Sequence, residues 1–301
     1  MKMNSIFEKT EEYIYEGNRS CAGCGLSLAF RLAMKALGEK TIIVVPACCF
    51  TVYTGVFPFS PIKVPVINTA FETTAAVASG IEAALKVKNK KDINVVGWAG
   101  DGGTFDIGLQ SLSAACARNA NIIYVCYDNE AYMNTGTQGS GATPYKALTT
   151  TTPIKGKTHN KKDLIGIIRA HNIPYIATAS PSYPQDLFNK FEKAKTIYGT
   201  KFIYILSPCP PGWGYETDKT VLLGRLAVQS GLFDLFEIEN GILNLTAESK
   251  SMLENKKIKK DVSEYLKLQK RFSHINDDDV QLYRNFVNEK WNNYFKMFEK
   301  K

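Results

Sequence analysis

Residues 95–134 read VVGWAGDGGTFDIGLQSLSAACARNANIIYVCYDNEAYMN, and this stretch decides the fold. The run over 93–99 is continuously apolar, as a strand covered on both faces of a parallel sheet must be. A glycine turn carrying one acid follows, then a helical segment over 105–119, a second apolar strand over 122–128 and a polar loop. Asp101 lies in the turn and Asn129 at the end of the second strand. In a βαβ unit both fall at the carboxyl edge of neighbouring strands, where α/β proteins bind ligands. A carboxylate and an amide oxygen there can share one hard cation. The N–H groups of Gly102 and Gly103, opening the helix, can face a phosphate. A lone Gly-Asp-Gly is weak evidence. The same triplet between a buried strand and a helix, closed by Asn129, is a much stronger sign of a diphosphate and Mg²⁺. The Ala131 carbonyl supplies a third ligand in this reading.

Working outward, strand and helix signals alternate over the first two-thirds. Helices are expected over 25–38, 73–88, 162–171 and 183–198, and strands over 41–46, 63–69, 175–179 and 201–206. This grammar predicts an α/β fold with a doubly wound parallel sheet. The Gly-, Thr- and Ser-rich stretch 129–160 is too long for an idle loop in a compact domain. Beyond Trp213 the pattern changes. DLFEIENGILNLTA reads as a hairpin turning at Asn240–Gly241, followed by a lysine-rich helix and a final helix with aromatics at helical spacing. The expected organisation is one domain over 1–215 and a C-terminal hairpin and helical extension over 216–301, an arm for partner subunits.

The chain has 301 residues, 45% hydrophobic and 22% charged, ordinary for a globular protein. No apolar run approaches the ~20 residues of a membrane span. The N-terminus MKMNSIFEKTEEYIYEG carries acids where a signal peptide needs an apolar stretch, so a cytoplasmic protein with no membrane role is expected. The net charge of +8 comes from scattered lysine groups without interleaved aromatics. That argues against a stacking surface for nucleic acid, with solvated faces and partner contacts the expected reading, and could steer a small acidic protein toward this one.

Seven cysteines, an odd count, argue against a disulfide framework. Cys116 and Cys126 lie in apolar segments and read as core. Cys21 and Cys24 form CAGCG at the start of the first helix, Cys48 and Cys49 form the doublet in VPACCFTV, and Cys209 lies in SPCPPGWG. Cys-x-x-Cys admits a redox dithiol, a zinc site or an iron–sulfur site. Four thiolates suit both of the last two, and the residues alone do not separate them.

The GDG-to-Asn block resembles the diphosphate-binding motif of thiamin diphosphate enzymes. NEAYMNTGTQGSGATP narrows the likeness to the 2-oxoacid:ferredoxin oxidoreductases, where an Asn in this loop lies beside the thiazolium and substrate; Asn134 holds that position here. The cysteines resemble those of the beta chain of multisubunit pyruvate:ferredoxin oxidoreductases. The resemblance implies one [4Fe-4S] cluster on Cys21, Cys24, Cys49 and Cys209, with Cys48 a bystander. It spans about Tyr15 to Ile275 and includes QKRFSHI. It implies thiamin diphosphate and Mg²⁺ on Gly100, Asp101, Gly102, Gly103, Asn129, Ala131 and Asn134, with Cys49 beside the cofactor. The implied reaction is oxidative decarboxylation of pyruvate, with electrons leaving singly for ferredoxin and coenzyme A taking the acyl group. Branched-chain 2-oxoacids, 2-oxoglutarate and oxalate are the alternative substrates. A zinc-stapled nucleotide-binding module and a non-oxidative thiamin decarboxylase are the competing classes. The Glu that activates the aminopyrimidine is missing, since Glu72 and Glu82 stand in the wrong context. Alpha, gamma and delta-type subunits are the expected partners, the alpha-type chain supplying that Glu and a ferredoxin-like chain carrying further clusters.

Overall fold

The apolar run of 93–99 becomes β3 (Asn94–Gly100), an interior strand of an eight-stranded sheet. The structure is a computed structural model and describes residues 5–299. In chain order α1 (Gly25–Leu37), β1 (Thr41–Pro46), α2 (Cys49–Thr54), β2 (Val66–Thr69) and α3 (Thr74–Val87) precede β3. Then come α4 (Leu109–Ala117), β4 (Ile123–Asp128), α5 (Leu164–Arg169), β5 (Tyr175–Ala179), α6 (Pro184–Thr196) and β6 (Lys201–Leu206). The chain closes with α7 (Pro210–Trp213), α8 (Thr220–Gln229), the hairpin β7 (Phe236–Glu239) and β8 (Ile242–Leu245), α9 (Ala247–Glu254), α10 (Val262–Lys267) and α11 (Asp277–Glu299).

The sheet order is β2-β1-β3-β4-β6-β5-β7-β8. Strands β1 to β6 run parallel, and β7 and β8 add antiparallel at one edge. Side chains alternate between two cores, as a doubly covered sheet requires. Ile123, Val125 and Tyr127 of β4 pack on one side with α1 and α6; Tyr124 and Cys126 pack on the other with α3 and α4. Cys116 joins that second core. From β1 the chain winds outward to β2, and from β3 it winds the other way to β4. The carboxyl ends of β1 and β3 therefore flank the switch point of the sheet, where a crevice must open.

Two details depart from the sequence reading. The helix expected over 105–119 does not begin there. A single π-helical turn, Gly102–Asp106, follows Asp101, and α4 starts only at Leu109. The wide turn is pinned by Thr104, whose hydroxyl donates to the Gly100 carbonyl at 2.7 Å. Such wide turns recur at functional sites. The second concerns the C-terminal region. Its hairpin turns at Asn240 (φ 48°) and Gly241 (φ 82°), and β7 pairs with β5, so the sheet itself runs past residue 215. Trp291 of α11 is fully buried within the chain, its Nε1 donating to the Gly231 carbonyl at 3.1 Å. Leu282, Phe286 and Met297 of the same helix remain exposed. Among the described residues no helix is long and apolar enough to cross a membrane.

One buried charge has a measurable cost. Lys201 opens β6 almost fully buried, with Asn121 Oδ1 at 2.7 Å as its hydrogen-bond acceptor. Burial depresses its ammonium to about 8, against a small upward pull from Glu82. In the unfolded chain a lysine titrates near 10.4. Below the folded value the chain carries the whole penalty, and the penalty is relieved as pH climbs from the folded to the unfolded value. Lys201→Met is therefore expected to raise unfolding stability by roughly 1–3 kcal/mol near neutral pH, at ~1.4 kcal/mol per pKa unit. Denaturant titrations at neutral pH and again above the unfolded lysine pKa check this. The gain must shrink at the higher pH, and a gain of equal size at both assigns the effect to packing.

Candidate active site

Register places the site. Gly100 of β3 pairs with Tyr127 of β4, so the residues that leave the two strands, Asp101 and Asp128–Asn129, emerge side by side. Asp101 is buried and its Oδ2 accepts from Ser140 Oγ at 2.5 Å. Asn129 Oδ1 stands 2.9 Å from Asp101 Oδ1 and 3.0 Å from the Ala131 carbonyl oxygen. Three acceptors facing one another repel. Without a cation the Asn129 amide is better turned over, so that its nitrogen donates to both neighbours. With a cation the orientation as it stands is the right one. Octahedral Mg²⁺ at about 2.0–2.1 Å from its ligands sets adjacent oxygens about 2.9 Å apart. Both distances from Asn129 Oδ1 match that spacing.

The local charge agrees with such a fit. Burial first, and the charge of Asp128 second, push the Asp101 carboxyl up from its usual range, against the Ser140 hydrogen bond. Two buried carboxylates side by side call for positive charge. Lys161 supplies part of it, pairing with Asp128 and with Glu130 Oε1 at 3.3 Å.

A pocket of about 200 Å³ opens over the triad. Gly100 to Gly103 form one side, Asn129 and Ala131 to Thr135 another, and Ala47, Cys48, Cys49 and Tyr127 a third. Asn134 lies exposed at the lining. Gly102 cannot be any other residue without a shift, because the Tyr132 ring occupies the place of a Cβ. At Gly103 a Cβ would stand 3.1 Å from the Phe71 ring, a much milder crowding. Tyr132 is itself fixed, its hydroxyl donating to Asp106 Oδ2 at 2.7 Å.

The cysteines gather on the same side. CAGCG is pressed onto the SPCP turn: Gly25 N donates to the Pro208 carbonyl at 3.1 Å, and a Cβ on Gly25 would meet that backbone. Thr220 Oγ1 fixes the loop through the Gly23 carbonyl at 2.5 Å. Cys209 is pushed up to about 12 by burial, with Cys24 and Cys21 adding to the shift against a Gly212 backbone hydrogen bond. Cys49 is raised by burial first and then by Cys209, Cys48 and Cys24. The Cys48 thiol donates to the Pro46 carbonyl at 3.0 Å. Burial raises it too, with Tyr127 the largest opposing influence. Among the described residues no group of three or more His, Cys, Asp or Glu is drawn together for a single metal ion.

The sequence reading missed Ser140, Phe71, Tyr132 and Lys161. Each reaches the site from a loop, where no periodicity flags it. The GSGATP segment that brings Ser140 back to Asp101 carries part of the family likeness, but nothing in it marks Ser140 as a partner of Asp101.

Residues 48–205 match the family described as thiamine pyrophosphate enzyme, C-terminal TPP binding domain. The chain is 49% identical over 299 residues to the ketoisovalerate oxidoreductase subunit VorB of Pyrococcus furiosus, covering 96% of this chain and 94% of that protein. It is 48% identical over 291 residues to the pyruvate synthase subunit PorB of Methanocaldococcus jannaschii, covering 93% and 95%. Among solved structures, a chain of the 2-oxoglutarate:ferredoxin oxidoreductase from Magnetococcus marinus shares the fold, with a TM-score of 0.57 and 23% identity over 75% of this chain and 81% of that one. By fold, matched domain and near full-length identity, this chain belongs to the beta subunits of the 2-oxoacid:ferredoxin oxidoreductases.

Proposed function

We propose that the chain is the thiamin-binding half of a pyruvate:ferredoxin oxidoreductase. The observation that carries the reading is Asn129 Oδ1 facing Asp101 Oδ1 at 2.9 Å and the Ala131 carbonyl oxygen at 3.0 Å, the spacing of adjacent ligands on one octahedral cation. In this reading these three hold Mg²⁺, and the backbone at Gly100, Gly102 and Gly103 faces the diphosphate. When bound, thiamin diphosphate supplies the carbanion that adds to a keto carbon, and a [4Fe-4S] cluster supplies a one-electron acceptor.

The protein's own part is placement. Phe71 and Tyr132 wall the pocket beside the glycine turn. Asn134, at the pocket lining, hydrogen-bonds substrate beside the reacting carbon. Cys21, Cys24, Cys49 and Cys209 hold the cluster, and Cys49 lies on the wall common to cluster and cofactor. The proximity of Cys49 to Cys24 and Cys209 supports it over Cys48 as the third ligand. In this reading an alpha-type chain supplies the activating Glu. The outward face of α11, with Leu282 and Phe286, is assigned to partner subunits. Ferredoxin takes the electrons and coenzyme A the acyl group.

Pyruvate is favoured by SPCPPGW and QKRF, which resemble the pyruvate type. The near-equal likeness to a ketoisovalerate oxidoreductase subunit supports a second reading, a branched-chain 2-oxoacid. Turnover of pyruvate, 2-ketoisovalerate and 2-oxoglutarate by the purified complex, with ferredoxin and coenzyme A, tests this. A kcat/KM at least about tenfold higher for pyruvate is expected, a margin of ~1.4 kcal/mol. A preference for either other acid overturns the assignment.

Two substitution pairs test the site. Cys49→Ser is expected to abolish or distort the electron paramagnetic resonance signal of the reduced complex, prepared without oxygen, while Cys48→Ser leaves it intact. The reverse pattern names Cys48 as the ligand. Gly102→Ala drives a methyl into the Tyr132 ring and is expected to weaken thiamin diphosphate binding by tenfold or more, about 1.4 kcal/mol. Gly103→Ala costs several times less. Equal effects, read by calorimetric titration of the cofactor-free complex, would show that the Tyr132 contact does not define the pocket.

A further inference from the structure

The QKRFSHI stretch has no role in the site as described, yet Arg271 within it is buried beneath the metal loop. Its Nη2 donates to Glu130 Oε2 at 2.6 Å, with the Arg271 and Glu130 side chains 4% and 7% exposed. Its guanidinium lies 3.9 Å over the Trp213 ring. Gln269 Oε1 accepts from its Nε at 2.9 Å, and its own carbonyl accepts from Leu148 N at 2.9 Å.

The two partners of Arg271 belong to different parts of the site. Glu130 sits between Asn129 and Ala131 and takes a left-handed backbone at φ 67°, which a glutamate adopts only when held. Its carbonyl accepts from Thr143 Oγ1 at 2.7 Å. Trp213 closes the short helix that Cys209 caps, with Trp213 N donating to the Cys209 carbonyl at 2.9 Å. The edge of the same indole reaches the metal loop, with Nε1 donating to the Asn129 carbonyl at 2.7 Å. One guanidinium thus grips the residue between two of the triad positions and stacks on the ring that joins that loop to the Cys209 turn.

We propose that Arg271 is a positioning residue that sets the oxygen triad and the Cys209 turn in a fixed mutual geometry. This rests on the function proposed above. A planar guanidinium that pairs with Glu130 through Nη2, donates to Gln269 through Nε and stacks on Trp213 at once is not replaced by an ammonium. Groups that orient metal ligands typically cost 10–100-fold in affinity when removed. A pair that served folding alone would behave differently. Exchanging both partners of a buried ion pair for apolar residues is often neutral or stabilising, and cofactor affinity would then survive.

The test uses the assembled complex, purified without oxygen and stripped of cofactor. Thiamin diphosphate with Mg²⁺ is titrated by calorimetry, and the reduced cluster is read by electron paramagnetic resonance. Arg271→Lys is expected to raise the Kd by about tenfold or more and to alter the cluster line shape. The double variant Glu130→Met with Arg271→Met is expected to keep the wild-type unfolding midpoint while losing affinity to the same degree. Trp213→Phe removes the Nε1 donor to the Asn129 carbonyl and shortens the ring under Arg271; it gives the same reading should Arg271→Lys fail to assemble. Wild-type Kd and line shape in Arg271→Lys, or in Trp213→Phe where that variant decides, overturns the proposal. Loss of assembly in the double variant with unchanged binding in Arg271→Lys also overturns it. A wild-type complex that takes up neither Mg²⁺ nor thiamin diphosphate overturns the proposed function instead.

Discussion

Asn129 Oδ1 stands 2.9 Å from Asp101 Oδ1 and 3.0 Å from the Ala131 carbonyl oxygen, a repulsion that either a turned amide or a shared cation relieves. Asp101 and Asn129 are fixed by the pairing of β3 with β4, and Ala131 follows through a backbone kept left-handed at Glu130. The parallel sheet delivers two strand ends to one point, and the wide turn after Asp101 brings glycine backbone against the pocket. The long loop then folds back so that Ser140 reaches Asp101. Each of these features costs conformational freedom or buries charge, and a cation bound there would offset the cost.

The second constraint is proximity between the two chemistries the site would house. The CAGCG loop and the SPCP turn touch backbone to backbone, which brings Cys24 and Cys209 together and puts Cys49, at the start of α2, on the pocket wall. Both turns leave strand or helix ends on the same edge of the sheet. In the proposed reading an electron leaving the pocket has its first acceptor in this chain, and the activating acid comes from another.

Much of this was legible in the sequence because parallel strands carry continuous apolar runs and helices carry their own period. Asp101, Asn129 and the cysteines stood out because glycines and spacing marked them. Their grouping was not legible. Ser140 returns to Asp101 across a long irregular loop, and Lys161 reaches Asp128 from the far end of the same loop. Nothing local predicts such returns. The π-helical turn was missed because a helical period is insensitive to one widened turn. Trp291 looked like a residue awaiting a partner because its burial depends on Gly231, far away in the chain.

The central claim is that Asp101, Asn129 and the Ala131 carbonyl share one cation with a diphosphate. Mn²⁺ in place of Mg²⁺ reports this directly, because electron–nuclear double resonance detects phosphorus bonded through oxygen to the ion. The account predicts one Mn²⁺ per chain in the complex, with phosphorus coupling when thiamin diphosphate is present and loss of the bound ion in Asp101→Ala. Stoichiometric Mn²⁺ without phosphorus coupling, or binding that survives Asp101→Ala unchanged, would contradict it.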